Sequence, residues 1–138
     1  MKIKDLQQKI ADALNGVEDL IQGGCKAFAE DTRTIYEEAK VWISAGKVAL
    51  VVVTPEMRRN GAAVGGIASE TRLLVQCSEL APLTARQPGV MRALDAAEIV
   101  MHALDCDQFC WQETSQTIDS QSKVITVTVA FDTSIILN

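Results

Sequence analysis

Aromatic side chains are scarce in this chain: two Trp, one Tyr and three Phe make up 4% of its 138 residues. A core without many large rings has to be built from Val, Ile, Leu and Ala, which suits a sheet covered by helices. Histidine is scarcer still. His102 stands alone, so any mechanism that needs an imidazole must use it. Basic charge falls short of acidic charge, with 13 Lys and Arg against 18 Asp and Glu, a net of −5. That balance argues against a general nucleic-acid binder, which carries a basic face to meet phosphates. The basic spots that exist, Lys2, Lys4 and Lys9 and then Arg58 and Arg59, are short.

Long apolar runs are missing too. The longest, Val48 to Val53, is far below the roughly 20 residues of a membrane helix. Lys2 and Lys4 are followed by "DLQQKIADALNG" and not by the apolar stretch of a secretion signal. The expectation is a protein made and kept in the cytosol, with Cys25, Cys77, Cys106 and Cys110 present as thiols. No Gly-x-Ser-x-Gly elbow occurs, and "NGAAVGG" lacks the Lys-Ser/Thr of a nucleotide-binding loop.

What is present is periodicity. Ile3, Leu6, Ile10, Ala13, Leu14, Val17, Leu20 and Ile21 recur at steps of three and four, which predicts an amphipathic helix over 3–21, stopped by Gly23 and Gly24. "CKAFAED" reads as a short strand. "DTRTIYEEAKVWISAG" reads as a helix, 32–45, capped by Asp31 or Thr34, with Ile35, Ala39, Trp42 and Ile43 inward. Lys47 to Thr54 has no alternation and predicts a central strand covered on both faces, ended by Pro55. "MRRNGAAVGG" reads as a mobile loop or hairpin tip, and 67–80 as a second strand. Pro82 and Pro88 bracket a connection, and Pro88 suits the start of a helix running to Leu104. Its buried stripe would be Val90 or Met91, Leu94, Ala97, Met101 and Leu104, with Asp95, Glu98, His102 and Asp105 outside. The end is the clearest: Ile125, Val127, Val129, Phe131, Thr133 and Ile135 fall on one face of a strand, and Thr126, Thr128, Ala130, Asp132 and Ser134 on the other. "WQETSQTIDSQ" pairs with it as a hairpin.

Length then becomes informative. Fifteen residues of strand span about 50 Å, whereas a domain of this size has a diameter of about 37 Å. The final strand therefore bends near Asp132 or lies against another subunit. Together with the soft loop after Val53, it points to assembly more than to catalysis.

Candidate chemistry is thin. His102, Cys106 and Cys110 would share one helix face if the helix continued, and three such ligands with Asp105 nearby would suit zinc. Asp105 and Asp107 instead predict a helix end near Cys106, where the thiols serve as small apolar groups. A nucleophilic pair of Cys25 or Cys77 with His102 has no local signature in its favour. A small cytosolic enzyme or zinc-binding domain built on His102, Cys106 and Cys110 thus stands as the alternative function, with a host adaptor subunit as another.

The order of elements carries a resemblance: a first amphipathic helix, the strand ending "ALVVVTP", a flexible hairpin, a second strand, the helix "PGVMRALDAAEIVMHALD", and the closing pair ending "VITVTVAFDTSIIL". In this order the chain resembles the small tail proteins of tailed bacteriophages, of the tail terminator or tail-completion type. The helix at 32–45 departs from the simplest plan of that group. The resemblance implies one α+β domain over residues 1–138, with a mostly antiparallel sheet of four to five strands packed against two to three helices. It implies a non-enzymatic virion structural protein without cofactor or metal. Such a protein forms a ring, commonly of six, that ends the tail tube and meets the head connector. Nucleic acid would touch it only by passing through the lumen, and its place would be the host cytoplasm during assembly and the virion tail afterwards. On this reading the contact residues are Met57, Arg58, Arg59, Asn60 and Val64 in the loop, and Asp132, Ile135, Ile136 and Leu137 at the strand end.

Overall fold

A computed structural model describes residues 2–30, 34–81 and 87–138. In chain order the elements are α1 (Ile3–Asn15), α2 (Glu18–Gln22), β1 (Cys25–Ala29), α3 (Ile35–Ser44), β2 (Val48–Ala63), β3 (Gly66–Leu80), α4 (Ala93–Leu104), β4 (Phe109–Asp119) and β5 (Val124–Leu137). The five strands form one sheet in the order β1-β2-β3-β5-β4. Only β1 and β2 are parallel; the pairs β2–β3, β3–β5 and β4–β5 are antiparallel. The fold is α+β, as expected.

The pleat sorts the strands into two cores. Val48, Leu50 and Val52 of β2, Leu73, Val75 and Cys77 of β3, and Val127, Val129, Phe131 and Ile135 of β5 point to one face. There they meet Leu6, Ile10 and Leu14 of α1, Leu20 of α2 and Ala93, Ala96, Ala97 and Val100 of α4. The intervening Ala49, Val51 and Val53 point to the other face, with Phe28 of β1 and Ile35 and Ala39 of α3. A strand buried on both faces reads as an unbroken apolar run, and "VALVVV" is that run. Trp42, on α3, donates from Nε1 to the carbonyls of Val48 at 2.9 Å and Gly24 at 3.2 Å, and Lys47 Nζ sits 4.2 Å from its ring centroid.

The first helix is two helices. After Asn15 the chain turns at Gly16, and a second short helix begins at Glu18. The break brings Leu20 into the core and leaves Ile21 exposed, against the predicted stripe. Asn15 shows why the turn falls here. Its Nδ2 donates to the Ala27 carbonyl at 3.0 Å and its Oδ1 accepts from the Ala27 N–H at 2.8 Å. One side chain thereby occupies the backbone of β1, the edge strand, on the side away from β2.

β2 does not end at Pro55. It continues to Ala63, with a register shift between Val53 and Glu56 that places Thr54 and Pro55 in a bulge. The β1 ladder stops at Ala29↔Val52, so Pro55 lies where β2 has become an edge strand, and its missing N–H breaks no ladder bond. The helix expected from Pro88 starts later. Pro88 and Gly89 form a turn, and α4 begins at Ala93. Its true cap comes from the sheet: Glu79, 4% exposed at the end of β3, accepts the Ala93 N–H at 3.0 Å, with Arg92 Nε 3.6 Å away. A carboxylate at a helix N-terminus meets both an orphan donor and the favourable end of the dipole. On α4, Ala93, Ala96, Ala97, Val100 and Leu104 are buried, while Leu94, expected inside, is 53% exposed. The Pro82 end of the expected connection and the Asp31 cap lie outside the described residues, and Thr34 makes no side-chain cap bond.

Replacing Asn15 by Ala removes both bonds to Ala27 without touching the apolar core. We expect a loss of about 2 kcal/mol, from roughly 1 kcal/mol per bond, in urea unfolding followed by circular dichroism. A change below about 0.5 kcal/mol, the range of ordinary surface substitutions, would show that the clamp contributes nothing.

Candidate functional site

Beyond the ends of β1 and of β4 the sheet narrows to three strands. The β1 ladder has ended at Val52, and the β4 ladder ends at Phe109↔Thr133. β2, β3 and β5 run on together, to the hairpin turn Val64–Gly65 and to Leu137 paired with Ile67. This projecting blade takes up five residues of β3, Gly66 to Glu70, or roughly 17 Å. The segment expected as a loop, 57–66, is strand in its greater part. Asn60–Gly61 is not the tip: it is a second bulge, between Arg59 and Ala62, and Gly61 has φ +92 there. The closing strand is as long as its sequence implied. It lies on β3 of its own sheet to its last paired residue. Gly66 makes this possible, because a Cβ at that position would collide with the backbone carbonyl of Leu137.

The two faces of the blade differ. On the face away from α1 and α4, Glu56, Arg72 and Asp132 stand opposite one another across β2, β3 and β5, followed by Arg58, Glu70 and Ser134. Charges of opposite sign thus neighbour each other in both directions. Arg58 also pairs with Glu56 at 2.8 Å, Arg72 with Glu113 of β4 at 2.6 Å, and Asn60 donates to Glu70 at 3.3 Å. Glu56, Arg58, Glu70, Arg72 and Asp132, with Asp107, line a hollow of about 440 Å³. Exposed ion pairs of this kind contribute about 0–1 kcal/mol each.

On the opposite face the register sets Met57–Thr71–Thr133 and Arg59–Ser69–Ile135 in rows. Ser69, Thr71, Thr133 and Ile135 are buried. The Ser69 and Thr71 hydroxyls lie 3.4 Å apart. Among the described residues, Thr133 Oγ1 is the one buried side-chain polar atom without a hydrogen-bond partner.

The residues named as contacts therefore separate. Met57 is 47%, Val64 100% and Ile136 44% exposed, and Arg59 is exposed as well. Arg58, Asn60 and Asp132 are exposed but belong to the charged face, and the register puts Ile136 on that face too, two residues beyond Ser134. Ile135 is buried in the main core, and Leu137, half-buried, packs against that core from the same face. Ile67, 45% exposed beside the tip, was missed. Its signal was its place in the hairpin, obscured by starting a plain strand there.

The alternative chemistry is not brought together. α4 ends at Leu104, so His102, exposed in its last turn, is not followed by Cys106 and Cys110 on a continuing helix face. No three of His, Cys, Asp and Glu among the described residues are placed to hold a metal ion. His102 does not line the hollow. Cys25 and Cys77 are buried in the main core; burial pushes the Cys25 thiol up to about 12 and the Cys77 thiol up as well. No helix among the described residues is long and apolar enough to cross a membrane. No protein-family model matches this chain, and no curated protein matches it.

Thr133→Val keeps the shape of the side chain and removes the orphan hydroxyl. It should raise stability by about 1 kcal/mol, the lower end of the desolvation cost of an unpaired buried polar atom, read as a shifted urea midpoint at constant m. A lower midpoint would mean that the hydroxyl has a partner that matters.

Proposed function

We propose that this chain is a non-enzymatic structural subunit of a phage or prophage tail, acting in a ring that terminates or completes the tail tube and joins it to the head. The observation that carries the reading is the blade. A chain of 138 residues carries β2, β3 and β5 past the ends of β1 and β4 and exposes Met57, Val64, Ile67 and Ile136 on them. Surface apolar side chains scattered singly are ordinary, but four on one projection concentrate apolar area where a neighbour can reach it. The hollow beside them is lined by charges of both signs that mostly answer one another. It offers a substrate no converging set of reactive groups.

The C-terminal strand, spent on its own sheet, is not the arm of this assembly; the hairpin tip takes that part. The partners on this reading are further copies of the chain, the tail-tube protein and the head connector. Its place is the host cytoplasm during assembly and then the virion.

Two measurements test the proposal. Deleting the gene from an inducible source prophage should leave filled heads without joined tails, or tails of irregular length, by electron microscopy; normal infectious particles would overturn it. In the same background, a Met57→Asp, Val64→Asp double variant should keep its unfolding midpoint within about 0.5 kcal/mol of the parent, as expected for exposed sites, while failing to restore joined particles. Full restoration would remove the hairpin from the assembly surface.

A further inference from the structure

The four thiols fall into two unlike pairs. Cys25 and Cys77 are buried in the main core, whereas Cys106 and Cys110 are both exposed, in the turn between α4 and β4 and at the start of β4. That turn is held closed by its backbone: the Cys106 N–H donates to the Phe109 carbonyl at 3.0 Å. It is braced further by Asp105, whose Oδ1 accepts the Trp111 N–H at 3.0 Å. Within it the Cys110 Sγ lies over the backbone of the other cysteine, 3.8 Å from the carbonyl oxygens of both Cys106 and Asp107. Ordinary bond lengths then place this sulfur no more than about 6.5 Å from the Cys106 Cα. Closure requires the Cys106 side chain to rotate about its Cα–Cβ bond, which swings its sulfur toward the Cys110 Sγ, and the turn to tighten until the two Cβ atoms reach disulfide separation.

We propose that Cys106 and Cys110 form a thiol–disulfide exchange site that closes to an intrachain disulfide on meeting a small-molecule disulfide. The thiolate of one cysteine attacks a sulfur of the incoming disulfide. A mixed disulfide forms and one small thiol leaves, carrying a proton. The thiolate of the second cysteine then attacks the protein sulfur of the mixed disulfide, and the second small thiol leaves. Two protein thiols are oxidised to one disulfide while one small-molecule disulfide is reduced to two thiols. Exchange requires thiolate and access together. Cys25 and Cys77 have no access, and their burial disfavours the thiolate. The new bond would join the exit of α4 to the first residues of β4 and fix the wall of the hollow to which Asp107 and Cys110 belong. The inference is independent of the tail assignment, since it uses only this turn.

The test uses the full chain, reduced, desalted and incubated with oxidised glutathione at mildly alkaline pH. Intact mass should fall by two hydrogens with no glutathione retained. Peptide mapping should find Cys106 joined to Cys110, with Cys25 and Cys77 alkylated only after denaturation. Cys106→Ser and Cys110→Ser should each instead hold one stable glutathione adduct, because the resolving sulfur is gone. Two retained adducts on the parent chain, disulfide-linked dimers or unreacted thiols would each overturn the proposal.

Discussion

The structure depends on one strand being paired on both sides for most of its length. β3 has β2 on one side from Gly66 to Ser78 and β5 on the other from Ile67 to Leu80. A backbone that leaves the shelter of a core must still satisfy its N–H and C=O groups, and three strands in register do this where a lone extension could not. The helices cover the lower half of this ladder, and β2 and β5 carry it outward. The two bulges in β2 absorb Pro55 and Gly61 and add local twist without ending the pairing. The projecting blade is therefore a continuation of the central sheet.

This constraint also divides the surface. On one face of the blade, alternation places Arg beside Glu and Asp in neighbouring rows, and exposed pairs of this kind do little for stability. On the other face it turns Ser69, Thr71, Thr133 and Ile135 inward, under cover. Free apolar area is left at the hairpin end and along its rim.

Much of the local structure is legible in the residues. The alternation of β5 was read with the correct faces, because a strand with one face against helices must repeat every two residues. The double-sided burial of Val48 to Val53 and the polar side of α4 were equally legible, each set by repeating side chains. The failures share a cause. Pro55 was read as a stop because its local preference ends ladders, but β2 had already lost its outer neighbour there. Pro88 was read as a helix start because no residue near Ala93 advertises a cap; the cap is Glu79, fourteen positions back on another element. Asn15 looked like one more helix residue until Ala27 came beside it.

For the candidate surface the division is the same. The residues alone determined that hydrophobic mass would be aliphatic, that the terminal strand would outrun a compact domain, and that small residues and glycine would cluster after Val53. Composition and period act through nearest neighbours, so they survive without coordinates. Only the tertiary structure decided that the long strand lies on its own hairpin, and that Ile135 is buried and Leu137 half-buried while Val64 and Ile67 are left out. It also decided that Cys106 and Cys110 meet across a turn after the helix stops. Each of these depends on which segments become neighbours across the sheet, and pairing between distant segments is set by the packing of the whole chain.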